Sequence, residues 1–223
     1  LIQQKSVKVA VFTCDEFCGM MFYPEATGRF FYDPLAVHAV PGRGRLRHRG
    51  EKVFFRCAEA PMSKEKFPAT PALRALKSSG ADFRLFSYKY EERGGTKVSA
   101  RELGVDEHIV VKTLVMEDEE KRPLIVLMHG DRDVSTKSLA RILGVKAVSP
   151  CDPKVAERHT GYKVGGTSPF GTRKRLPIYI EETILSLPLI LINAGHRGIL
   201  AEMNPAELNR ILHPIPVQAA IER

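Results

Sequence analysis

Three pairs in this chain set a short polar residue immediately before proline at the head of a helix-like run: Thr70-Pro71, Asp152-Pro153 and Asn204-Pro205. A Thr, Asp or Asn oxygen can accept from the first free N–H groups of a helix. Proline at the next position has its φ already set and no N–H to leave unpaired. Each pair therefore predicts a helix start, before ALRALKSSG, KVAERHTG and AELNRIL. Two further helices are predicted over STKSLARIL and VSAREL, stopped by Gly144 and Gly104, as Gly80 stops the first. Between them lie apolar, strand-like runs: DFRLFSY (82–88), HIVVKTLVM (108–116), PLIVLMH (123–129), VKAVS (145–149), LPIYI (176–180) and LPLILINA (187–194). Helices interleaved with strands of this kind predict a mixed α/β domain. EDEEKR (117–122), between two strands, reads as a solvated hairpin turn.

Residues 1–61 lack this grammar. VKVAVF (7–12) is strand-like, but nothing offers it a partner, and PGRGRLRHRGEK (41–52) alternates cations with glycine as an unstructured or nucleic-acid-facing segment would. Met62-Ser-Lys-Glu-Lys has the character of an ordinary polypeptide start. The expectation is a poorly organised basic extension over 1–61, lying upstream of a native start at Met62, and one organised domain over 62–223. The rival reading makes 1–61 a basic tail that helps grip RNA.

The 223 residues are 43% hydrophobic, enough for a sizeable core. No apolar run approaches the roughly 20 residues of a membrane span, and the amino end lacks signal-peptide order, so the expected location is cytoplasmic with no membrane partner. Four cysteines (Cys14, Cys18, Cys57 and Cys151) do not make a disulfide framework at this length. Cys14, Cys18 and Cys57 with His38 or His48 could number four zinc ligands, but C-x₃-C without a second pair is poor zinc spacing, and reduced thiols are the better reading. The formal charge of +8 leans toward phosphate-bearing partners.

The densest chemistry lies in TGYKVGGTSPFGTRKRLP (160–177). It has little apolar surface to bury, so packing alone explains it poorly. G-x-x-x-x-G occurs twice, closing at Gly166 and Gly171, yet neither glycine is followed by the lysine that a P-loop needs for terminal phosphates. Nucleotide hydrolysis is disfavoured. Gly165 and Gly166 let backbone N–H groups approach a carbonyl or oxyanion, Thr167 and Ser168 add short donors, and Pro169 restricts the loop. Arg173, Lys174 and Arg175 follow as a cation cluster suited to RNA phosphates.

Lys112 is the second anomaly. Alternation along HIVVKTLVM sets Val110, Lys112, Leu114 and Met116 on one face, and both faces are largely apolar, so an ammonium sits where a hydrophobe is expected. Either the strand is at a sheet edge and the lysine snorkels to water, or Lys112 stands at a pocket wall for a phosphate, carboxylate or hydroxyl.

With TPALRAL, VVKTLV, DPKVAERHTGYKVGGTSPFGTRKRLP and AGHRG in hand, the segment from about Phe67 to Glu222 resembles the YbaK family, free-standing relatives of the editing domain inserted in bacterial prolyl-tRNA synthetases. The resemblance implies a mixed α/β fold with a curled, barrel-like sheet surrounded by helices. It implies removal of cysteine from cysteinyl-tRNA(Pro), extending to cysteinyl-tRNA(Cys), with aminoacyl-tRNA as partner and prolyl-tRNA synthetase as a candidate second one. By position Lys112 corresponds to the functional lysine, Gly165 to the first glycine of the substrate loop, and Tyr88 to a pocket tyrosine. Tyr90 stands where relatives often carry histidine, and GILAEMNP replaces GLxIEL. The implied mechanism needs no metal or organic cofactor, because the substrate's own sulfur attacks its ester. Gly165 and Gly166 would hold the carbonyl, Lys112 the ribose-phosphate, Tyr88, Thr167 and Ser168 the pocket, and Arg173, Lys174 and Arg175 the acceptor stem. Two other readings stay open: a deacylase for another charge such as alanyl-tRNA(Pro), using water, and a catalytically silent tRNA-binding module.

Overall fold

The computed structural model describes Tyr23–Pro24, Phe30–Phe31, Arg45–His48, Glu51–Phe54 and residues 67–223, and the chain divides into two units, Leu1–Lys66 and Phe67–Arg223. In the first unit β1 (Tyr23–Pro24) pairs with β2 (Phe30–Phe31), and β3 (Arg45–His48) with β4 (Glu51–Phe54), both antiparallel. The glycine-and-cation stretch expected to lack regular structure thus contains a strand pair. The strand expected over 7–12, Met62, Cys14, Cys18, Cys57, His38 and the side chain of His48 lie outside the described residues.

The second unit begins with α1 (Pro71–Ser78), β5 (Arg84–Ser87) and α2 (Gly95–Leu103). A hairpin follows, β6 (Val110–Asp118) with β7 (Pro123–His129), then β8 (Arg132–Val134), α3 (Thr136–Leu143), β9 (Val148–Pro150) and α4 (Pro153–Thr160). β10 (Ile178–Glu181), β11 (Ile190–Asn193), β12 (Ile199–Met203), α5 (Pro205–Leu212), β13 (Ile215–Val217) and β14 (Ala220–Glu222) complete it. The helix signals act as their chemistry requires. Thr70, Asp152 and Asn204 each accept a backbone N–H of the helix they open, and proline takes the first turn. Gly104, Gly144 and Gly161 close α2, α3 and α4 in the left-handed conformation.

The main sheet is mixed, in the order β13-β10-β7-β6-β11-β12-β5, with β9 also on β6 and β8 paired separately with β14. The order ends at β13 and β5, so no pairing among the described residues closes the sheet into a barrel. Both faces are covered. Ile125 and Leu127 enter one core with Leu76, Phe170 and Ile192, while Leu124 and Val126 enter another with Leu139 and Val148. A strand buried on both sides reads as a continuous apolar run, which is why HIVVKTLVM showed no polar face.

The β6 pairings are uneven. β7 lies along one edge from Val111 to Glu117, whereas the other edge meets β11 only at Val110 and Val111 and β9 only at Met116 to Asp118. Lys112 is therefore on an interior strand, and the edge-strand reading is set aside. The turn reading of EDEEKR needs a similar correction. Glu117 and Asp118 belong to β6 and are buried, and Asp118 builds the turn by accepting from the Glu120 and Arg122 amides and from Arg122 Nε. β8, β12, β13 and β14 were not foreseen, being short or placed directly after tight turns.

Thr70 ties the first helix to the turn between β11 and β12. Its hydroxyl accepts from Leu73 N at 3.1 Å and donates to the Ala194 carbonyl at 2.6 Å, in a buried position. Thr70→Ala removes a cap and strands a buried carbonyl, and is expected to lower unfolding free energy by about 2 kcal/mol in denaturant titration. Thr70→Ser, which keeps the oxygen, should lose less than half of that, and equal losses would contradict the assignment.

Candidate active site

Where β6 has no strand partner, a cavity of about 620 Å³ opens. Its walls include Lys112 to Val115 of β6, Cys151 and Ala156 from the start of α4, and Gly165 and Thr167 of the glycine loop. Tyr88, Tyr90, Arg93, Thr96, Asn193 and Arg197 close the far side. Lys112 Nζ donates to the Arg132 carbonyl and, at 3.2 Å, to Asp133 Oδ1, with only 16% of its side chain exposed. The ammonium thus has a counter-charge in a largely buried position, and one of its three donors is left over.

The glycine loop is held from two sides. Gly165 has φ +86°, its carbonyl accepts from Asn193 Nδ2 at 3.2 Å, and a β-carbon there would fall 2.8 Å from the Tyr90 hydroxyl. At Gly166 a β-carbon would fall 2.9 Å from the Arg197 amide nitrogen, so backbone meets backbone and only glycine fits. The AGHRG turn is the surface this loop packs on. Arg197 completes the clasp: Nε donates to the Val164 carbonyl at 2.8 Å and the guanidinium lies 5.2 Å from the Tyr90 ring centroid. The Gly166 N–H donates to Lys163 O, whereas the Gly165 N–H has no partner among the described residues.

The sequence stretch that suggested the site is therefore divided. Lys112, Gly165, Thr167 and Tyr88 line one cavity. Gly166 sets the spacing of the loop. Ser168 is wholly buried, its hydroxyl accepting from Phe170 N, and Phe170 and Tyr162 are core residues, so much of the loop is packed after all. Arg173, Lys174 and Arg175 are exposed and do not line the cavity. Arg93, Asn193 and Arg197 were given no role by sequence reasoning. AGHRG carried the only signal for Arg197, and Arg93 had none.

Two titratable features bear on the chemistry. Cys151, the one cysteine among the described residues, donates to Glu117 Oε2 at 3.5 Å, and burial followed by the Glu117 carboxylate pushes its thiol up to about 12. A thiol so held is not a nucleophile near neutrality. His108, His129 and Asp131 bring three ligand atoms within 4.8 Å of one another. However, the two imidazoles stack at 3.8 Å with 13° between planes, so their lone pairs run nearly parallel instead of converging on one ion. His129 is also engaged at both nitrogens, by the His108 carbonyl and the Thr183 hydroxyl.

Residues 92–211, more than half the chain, match the aminoacyl-tRNA editing domain. The chain belongs to that family. Among proteins similar to this editing domain is one from Enterococcus faecalis (strain ATCC 700802 / V583) described as "Putative Cys-tRNA(Pro)/Cys-tRNA(Cys) deacylase EbsC". It is 30% identical over 137 residues, covering 61% of this chain and 84% of that protein. A "Proline--tRNA ligase" of Thermoanaerobacter sp. (strain X514) is 29% identical over 95 residues, 42% of this chain and 16% of the ligase. A solved structure described as "a putative trans-editing enzyme for prolyl tRNA synthetase" superposes with a TM-score of 0.62 at 22% identity, covering 70% of this chain and 99% of that one. At that identity the likeness establishes the fold. Among the described residues no helix is long and apolar enough to cross a membrane.

Burial holds His129 below its ordinary value of 6.5, and His159 is lowered in the same sense by burial, Lys174 and Arg158. As pH falls, the unfolded chain takes up these protons first, so stability present above about pH 6.5 is lost progressively below it. Unfolding free energy should fall between about pH 7.5 and 5.5, and by less in His129→Gln; parallel falls would contradict the assignment. Cys151 should resist iodoacetamide in the native protein at about pH 8 and react faster in Glu117→Gln, measured by mass spectrometry of the peptide that contains Cys151. Rapid labelling of that peptide in the wild type would contradict the burial of the thiol.

Proposed function

We propose that this editing domain is a trans-acting deacylase that removes cysteine from cysteinyl-tRNA(Pro), where it is mis-attached, and also from cysteinyl-tRNA(Cys). The observation that carries the proposal is the pairing of what the cavity offers with what it lacks. It holds the cations Lys112, Arg93 and Arg197 and an amide N–H at Gly165 with no partner among the described residues, yet its one thiol is kept protonated. Such a site stabilises charge on a bound ester without supplying the attacking atom.

An aminoacyl ester is already activated, so orientation and oxyanion stabilisation are the main requirements. The Gly165 N–H receives the carbonyl oxygen, and Gly166 keeps the loop against AGHRG so that this N–H stays in place. Lys112 takes the 3′-terminal phosphate with its remaining donor, and Tyr88 and Thr167 bound the amino-acid side. The substrate cysteine's sulfur bonds to its own carbonyl carbon, the carbon–oxygen bond to the ribose breaks, and the thiol proton ends on the departing ribose oxygen. The products are a cyclic thiolactone and free tRNA. Arg173, Lys174 and Arg175, exposed outside the cavity, hold the acceptor stem. Support for the substrate class comes from the relatives described above.

The test is release of radiolabelled amino acid from cysteinyl-, alanyl- and seryl-tRNA(Pro) by wild type and Lys112→Ala. Cysteine should leave well above the spontaneous rate, and Lys112→Ala should lower kcat/KM about 10- to 100-fold, the loss of one charge-assisted hydrogen bond. Release of alanine but not cysteine would move the mechanism to water attack. No release from any of the three would leave a tRNA-binding module.

A further inference from the structure

The break in pairing along β6 leaves one residue with its edge-directed backbone groups unmatched. Along an antiparallel strand the N–H and C=O of a given residue point to the same edge, and successive residues alternate. The Asp118 amide donates to Arg122 O across the hairpin, which directs even-numbered residues of β6 toward β7. The Cys151 amide donates to Val115 O, which directs odd-numbered residues toward the other edge. On that edge Val111 meets β11 and Val115 meets Cys151. Thr113 lies between them, opposite no strand, with its N–H and C=O directed into the gap.

A second observation falls on the same residue. Thr113 Oγ1 is buried and makes no hydrogen bond in the structure, one of only two such side-chain atoms among the described residues. A buried hydroxyl without a partner costs stability that a methyl group in its place would not. Thr113 also lines the cavity. Three polar groups of a single cavity-lining residue thus stand unmatched, two on the backbone along the open edge of β6 and one on the side chain, buried beside it.

We infer that Thr113 binds the α-amino group of the aminoacyl ester, completing β6 where a strand is missing. An aminoacyl group is chemically one residue of a strand: an amino nitrogen and a carbonyl that can face the same side. The α-ammonium donates to the Thr113 carbonyl and hydroxyl, and the Thr113 N–H joins the Gly165 N–H at the ester oxygen. The site then requires a free α-amine, which discriminates an aminoacyl end from a peptidyl or N-blocked one. This inference rests on the deacylase reading for its ligand class, not for its geometry.

The test uses two stable amide analogues of the charged tRNA end, 3′-(L-cysteinylamino)-3′-deoxyadenosine and its alanyl counterpart, each with a free or an N-acetylated amine. Calorimetry on the wild type should show at least about tenfold weaker binding of the acetylated forms, the loss of a charge-assisted hydrogen bond. Thr113→Val should lose a threefold or greater part of that preference, while Thr113→Ser keeps it. Because Thr113→Val removes an unmatched buried hydroxyl, its melting temperature should equal or exceed the wild-type value, which separates lost binding from lost folding. Equal binding of free and acetylated ligands, no binding of either amine, or an unchanged preference in Thr113→Val would overturn the assignment. Amine-selective binding by a protein that releases no amino acid from tRNA would support Thr113 and defeat only the deacylase reading.

Discussion

Strand β6 is paired along the whole of one edge and only at the two ends of the other, and the cavity exists because of the residues between. Had β9 and β11 met, the sheet would have run on and Thr113 would have been an ordinary ladder residue. Instead β11 leaves after Val111 and β9 arrives at Met116, and the glycine loop and the start of α4 flank the opening. The rest of the unit holds that gap in position. Cores on both faces of the β6–β7 hairpin fix the strand, so the gap has rigid walls.

The second constraint is the contact between two short motifs that sit about thirty residues apart in sequence. Gly166 lies against the backbone of His196 and Arg197, Arg197 reaches back to Val164, and Asn193 holds the Gly165 carbonyl. Thr70 then fastens the first helix to Ala194 in the same turn. Among the described residues the Gly165 amide has no partner, and neither has that of Thr167, while the Gly166 amide between them is taken by Lys163. A preorganised donor of this kind needs no rearrangement when charge develops on a bound oxygen. Burial, followed by the Glu117 carboxylate, keeps the adjacent Cys151 thiol protonated.

Much of this was legible in the residues themselves. The cap-proline pairs and stop glycines located α1 to α5 because their signals are local, a side chain acting on the backbone two or three residues on. Lys112 stood out because a charge in an apolar run is costly wherever the run is buried, although its place on an interior strand was not readable without the pairing. Other features depended on long-range contact and left no local mark. The roles of Arg93, Arg197 and Asn193, the burial of Ser168 and Phe170, and the interruption on β6 are of this kind. Glycine 166 was read as an oxyanion donor from its type alone, whereas its packing against Arg197 and its own hydrogen bond to Lys163 decide what it does.

In the proposed complex the ester sits between Gly165 and the open edge of β6, with the acceptor stem outside on Arg173 to Arg175. The direct measurement is the amide spectrum of ¹⁵N-labelled protein titrated with an acceptor-stem minihelix, uncharged or carrying a non-hydrolysable cysteinyl amide at its 3′ end. The uncharged RNA should move resonances around Arg173 to Arg175, and the charged RNA should add large shifts at Gly165 and Thr113 while the Gly166 amide, already bonded to Lys163, moves least. Identical shift patterns for the two RNAs, or charged-end shifts that bypass Gly165 and Thr113, would contradict it.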